Sequence, residues 1–139
     1  MKRFLGPEAL EKDLAALLLR FVLGGLMIMH GLPKIQNYSE YVNGFDPIGL
    51  GPDVSLSLAI FGELICGVLL VIGLFTRLAT IPVLITMAVA FFVVHGADEF
   101  QVKELSFVYM ILALVLFFLG GGKYSLDAAL FRKKEAVNY

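Results

Sequence analysis

Residues 54–75 read VSLSLAIFGELICGVLLVIGLF, twenty-two residues with a single charge, Glu63. A helix crossing the hydrocarbon core of a bilayer needs about 20 apolar residues. This stretch is long enough, and it is apolar around its whole circumference rather than along one stripe, which a surface helix of a soluble domain is not. It reads as a membrane span carrying one carboxylate. Three other stretches share that character: 14–32, interrupted by Arg20 and His30; 78–95; and 103–121, which draws on Phe100–Lys103 or the glycines at 120–122 to reach full length. Of the 139 residues 59% are hydrophobic and 17% charged, with a mean hydropathy of +0.86. A soluble domain carries about 45–50% apolar and about 25% charged residues. The expectation is one all-α domain over residues 1–139, a four-helix transmembrane bundle with a tail over 122–139, and a soluble helical bundle is set aside.

The basic residues orient the bundle. Lys2, Arg3 and Lys12 precede the first span, Arg77 lies in the turn between the second and third, and Lys123, Arg132, Lys133 and Lys134 follow the fourth. The opposite side holds only Lys34 and Lys103, with Glu40, Asp46, Asp53, Asp98, Glu99 and Glu104. By the positive-inside rule both termini are cytoplasmic, and the expected location is the cell (plasma) membrane, as a multi-pass protein. The first span is not expected to be a cleaved signal peptide, because acids precede it and Gly31-Leu32-Pro33-Lys34 follows it in place of a small-residue cleavage site. The long loop from Pro33 to Asp53, with a helical turn or two over 38–45, is either a lid or a plain connector. Ser125 is placed to cap a short helix running to Phe131, and the basic residues 132–134 suit an anionic leaflet.

Charge and cysteine counts exclude several classes. The net charge of −1 offers nothing to nucleic acid. One cysteine, Cys66, rules out an internal disulfide, a CxxC pair and a cysteine zinc site; it reads as a small packing residue. No metal site is predicted.

Ionisable groups inside a span are costly and are functional candidates by default. At 100° per residue Arg20, Gly24, Met27, Gly31 and Lys34 share one stripe of the first span, with His30 beside it. Ala59, Glu63, Cys66, Gly67 and Leu70 share a face of the second. Small residues let helices approach closely in lipid, so the two faces are expected to meet, Arg20 pairing with Glu63 as a buried ion pair. From the cytoplasmic ends Arg20 lies about 9 Å deep, Glu63 about 18 Å, and His30 and His95 about 24–25 Å. His30, Lys34, His95 and Glu104 come to similar levels, and with Glu63 they are the candidates for ligand binding or proton exchange. Two histidines also permit haem ligation across the first and third spans, a weak signal that is disfavoured.

The chain resembles the DoxX family over nearly all its length. Leu19-Arg20 with Gly24, then His30-Gly31-Leu32-Pro33-Lys34, is similar to an opening LRxxxG…HGxxK pattern. Glu63, followed by Gly67 to Arg77, resembles E…GxxLxxGxxTR. Asp46 to Pro52 is similar to a GLP stretch, and Gly121 to Asp127 to a GxGxxSLD close. The resemblance puts Arg20, His30, Lys34, Glu63, Arg77 and Asp127 at motif positions. It implies a quinone-linked membrane subunit, with a quinone as cofactor between the first two helices, and a soluble or membrane redox partner or a second copy as partners besides the lipid bilayer. The broader superfamily also implies a non-enzymatic scaffold or assembly factor as the alternative, and a small transporter is a third reading. The chain itself supplies no thiol pair and no dinucleotide loop, so any enzyme activity would need a quinone and a partner.

Overall fold

The computed structural model describes residues 6, 7 and 10–132. Among them four helices are long and apolar enough to cross a membrane: α1 (Lys12–Gln36), α3 (Pro52–Ile72), α4 (Thr76–Val94) and α5 (Phe100–Leu119). Two short helices complete the order, α2 (Tyr38–Tyr41) in the long loop and α6 (Leu126–Phe131) after the last span. The helices pack in a ring, α1 on α3, α3 on α4, α4 on α5 and α5 back on α1. One end of the bundle carries the long loop, the other the tail. The basic residues at 2, 3, 133 and 134, on which the orientation partly rests, lie outside the described residues.

The core runs along the axis through Leu23, Met27, Cys66, Leu70, Val83, Ala113 and Leu116. Large apolar side chains also cover the outside: Phe118 is 72% exposed, Met29 70% and Phe92 66%. Such a surface is stable facing lipid and not water. The chain is a multi-pass membrane protein.

Each span ends for a local reason. α1 runs four residues beyond the expected Leu32, straight through Pro33. Proline's fixed φ fits a helix and only one hydrogen bond is lost, and the Pro33 carbonyl still accepts from the Asn37 N–H at 3.0 Å. That extra turn puts Lys34 on the helix, above Gly31. α3 stops at Ile72 because Gly73 adopts φ 72°, the left-handed conformation that closes helices at low cost for glycine. Ser125 caps α6 as expected, its hydroxyl accepting from the Ala128 N–H at 3.1 Å.

The small residues shared by α1 and α3 bring the backbones into contact. A methyl added at Gly24 would come within 2.7 Å of the Gly67 carbonyl oxygen, and one at Gly31 within 2.7 Å of the Leu64 nitrogen. At these glycines the two helices leave no room for a ligand, so the expectation of one between the first two helices bears on the stretch beyond Gly31, toward the loop end.

Candidate functional site: a cavity at the loop end

The loop end of the bundle holds a cavity of about 570 Å³. All four spans line it, and the long loop contributes Phe45, Pro47 and Ile48. Most of its wall is apolar, from residues such as Leu58, Ile85, Val89 and Leu105. Into that wall project His30, Lys34, Glu63 and His95. Four of the five residues singled out for ligand binding or proton exchange thus meet at one site. The fifth, Glu104, does not: it is exposed on α5 and is not part of the lining. Its level along the axis matches the others, but its direction around α5 does not.

Glu63 is held by Lys34, not by Arg20. The Lys34 ammonium donates to Glu63 Oε2 and, at 3.4 Å, to the His30 carbonyl one turn earlier. The pair is well enclosed, with side-chain exposures of 16% and 7%. Local backbone geometry aims it. Phe61–Ile65 forms a wide helical turn, with the Cys66 N–H reaching back to the Phe61 carbonyl. A second wide turn spans Ala90–Val94 and ends α4, the His95 N–H donating to the Ala90 carbonyl at 2.9 Å. Turns of this kind are frequent at functional sites, and both border the cavity. His95 Nδ1 lies 2.8 Å from Asp98 Oδ2 at the rim.

Arg20 belongs to a separate assembly at the tail end. Its guanidinium donates to the carbonyls of Leu70 at 3.0 Å, Val71 at 3.2 Å, Gly121 at 2.6 Å and Tyr124 at 2.9 Å. The expected Arg20–Glu63 ion pair is therefore corrected. The last carbonyls of a helix lack intrahelical partners and carry partial negative charge, and the C-terminus of α3 offers them to Arg20 at its own level. Glu63 lies further toward the loop end, where Lys34 reaches it. Asp127 completes this end, its carboxylate accepting from the N–H groups of Phe75 at 2.6 Å and Thr76 at 2.8 Å and so capping α4. Arg77 Nε donates to the Phe117 carbonyl at 3.1 Å. The motif residues thus divide into a structural clasp (Arg20, Arg77, Asp127) and a cavity lining (His30, Lys34, Glu63).

The loop is fastened over the cavity. Ser55 Oγ donates to Asp46 Oδ1 at 2.6 Å, and the Gly51 N–H reaches the same carboxylate at 3.2 Å. These bonds, that from Ser55 foremost, hold the Asp46 carboxyl below its ordinary range. Tyr38 adds a second tie, its hydroxyl lying 3.2 Å from Asp53 Oδ1 and 3.3 Å from Ser57 Oγ.

Sequence reasoning missed Tyr109. It is 5% exposed, lines the cavity from α5, and meets His30 edge to face with ring centroids 5.7 Å apart. The available signal was a tyrosine in the middle of an otherwise apolar span.

The DoxX family model matches residues 15–96. The chain belongs to the DoxX family. That match covers the first three spans, and with them Arg20, His30, Lys34, Glu63, Arg77 and His95. Two Haemophilus influenzae proteins, both described as uncharacterized, are similar to this DoxX protein. One is 33% identical over 83% of this chain and 90% of its own length, the other 31% over 86% and 85%. A Bacillus subtilis protein named "Putative oxidoreductase CatD" is 29% identical over 91% of this chain and 94% of its own. No solved structure matches the chain.

Proposed function

We propose that this DoxX protein is the membrane subunit of a quinone-linked redox system and binds a quinone-like ring in the loop-end cavity. The observation that carries the reading is an apolar chamber of about 570 Å³ whose polar corner is the Lys34–Glu63 pair with His30. Small-molecule pockets fall at roughly 300–1,000 Å³ and combine apolar walls with a few convergent polar groups. The residues fit a quinone: Lys34 and His30 are donors for a carbonyl, and Glu63 orients Lys34. A bound quinone supplies the electron chemistry; the protein's part is to hold the ring, keep water from it and exchange a proton at His30. The name of the B. subtilis relative supports the same direction. The scaffold reading expects the polar residues to exhaust one another in a closed bundle, and a chamber of this size favours the ligand reading over it. With both termini cytoplasmic in the plasma membrane, the cavity faces outward. Reporter fusions within 34–53 and 98–103 are expected to read as external, and a cytoplasmic signal from either would reverse the sidedness.

The binding test uses purified protein in mild detergent and a short-chain benzoquinone. Saturable binding is expected in the wild type, weakened about tenfold by His30→Ala or Glu63→Gln, in keeping with the loss of one charge-assisted hydrogen bond. A wild type that shows no saturable binding would overturn the reading in favour of the scaffold.

A further inference from the structure

Four hydroxyl-bearing side chains line the cavity: Ser55, Thr86, Ser106 and Tyr109. Three of their protons are engaged. Ser55 donates to Asp46 at 2.6 Å, Thr86 to the Pro82 carbonyl at 2.8 Å, and Ser106 to the Lys103 carbonyl at 2.7 Å. Tyr109 has no hydrogen-bond partner among the described residues. Its hydroxyl is also not sealed within protein: among the described residues the enclosed polar side-chain atom without a partner is Thr76 Oγ1, at the other end of the bundle. The 95%-buried Tyr109 thus lines the chamber with an accessible hydroxyl whose proton has no taker among the described residues. A buried tyrosine hydroxyl normally finds a partner.

The ring cannot turn away to find one elsewhere. Tyr109 belongs to the buried core and packs edge to face on His30, at 68° between planes. Lys34 brings three N–H bonds, of which Glu63 and the His30 carbonyl take two. The chamber thus presents uncommitted donors from two sides, Lys34 on α1 and Tyr109 on α5. A ligand that satisfies both needs two acceptors carried on an apolar body.

We infer that Tyr109 is a ligand-positioning residue that donates its hydroxyl proton to a carbonyl oxygen, and that the cavity takes a flat apolar ring with two carbonyl acceptors in preference to a ring without them. The inference rests on the ligand reading of the cavity above and deepens it, adding a contact on α5 and a requirement on the ligand.

Two probes separate the contributions: tetramethyl-1,4-benzoquinone, with two carbonyls, and tetramethylbenzene, of similar outline with none. Both are titrated into detergent-purified wild type and Tyr109→Phe, with helix content and unfolding temperature checked alongside. Loss of one neutral hydrogen bond is expected to weaken the dicarbonyl roughly three- to tenfold and to leave the hydrocarbon unchanged. In the wild type a carbonyl stretch of the bound dicarbonyl is expected to fall below its frequency in lipid, which does not depend on the variant folding. Equal dicarbonyl binding by both proteins, an equal loss for both probes, or an unshifted carbonyl stretch would overturn the role of Tyr109 and leave the ligand reading in place. No saturable dicarbonyl binding to the wild type would overturn both.

Discussion

Arg20→Met is expected to lower the unfolding free energy by about 3–6 kcal/mol, read as a shift of the denaturant midpoint in detergent. Each buried acceptor left without a donor costs about 1–3 kcal/mol, and the 1%-exposed Arg20 serves four carbonyls on two segments distant in sequence, of which that of Leu70 keeps the Gly73 N–H at 3.2 Å. Methionine preserves much of the apolar stem, so packing is largely kept and the lost donors dominate. The geometry also requires arginine. Four carbonyls at 2.6–3.2 Å are reached by Nε, Nη1 and Nη2 of one planar group, an array that a single ammonium does not reproduce. Arg20→Lys is therefore expected to recover no more than about half the loss. Gly73 shows how closely the site is built: a methyl there would lie 2.7 Å from the guanidinium carbon. A methionine variant within about 1 kcal/mol of the wild type, or full rescue by lysine, would show that the clasp does not hold the tail end together.

The bundle was legible in the sequence because hydropathy over some twenty residues is a strong signal, and the four spans lie within a few residues of their expected limits. Boundaries set by apolar content missed α1's continuation, because Pro33 reads as a stop in sequence but fits a helix in place. Periodicity identified the buried face of α3 correctly, as Ala59, Glu63, Cys66, Gly67 and Leu70 are all buried. It failed on partners. A carboxylate and a guanidinium on facing stripes look like a pair, yet nothing in the residue spacing reports that helix-end carbonyls compete for the arginine. Nor does hydropathy reveal the wide turns at 61–65 and 90–94. Tyr109 was overlooked for the same reason: its significance lies in three other hydroxyls being engaged, which only the assembled structure displays.

The Lys34–Glu63 pair separates packing from ligand binding. Lys34→Met leaves Glu63, whose side chain is 7% exposed, without its cation; removing one partner of a buried pair costs about 3–5 kcal/mol. Glu63→Leu is expected to be milder, about 1–2 kcal/mol, because the longer Lys34 can draw its ammonium toward the loop end and water. Removing both charges relieves the stranded carboxylate, so Lys34→Met with Glu63→Leu is expected near wild-type stability. The cycle should thus give a coupling of about 4–7 kcal/mol. Additive single effects would mean that the contact contributes nothing to the fold. The doubly substituted protein then answers the question about function. It keeps the bundle and the apolar chamber but has lost its polar corner, so a benzoquinone should bind to it at least tenfold more weakly. Wild-type affinity in that stable protein would make the pair a packing device and shift the ligand contacts to His30 and Tyr109. Weak binding with an intact fold would tie the carboxylate and the ammonium directly to the ligand, since no loss of structure would remain to account for it.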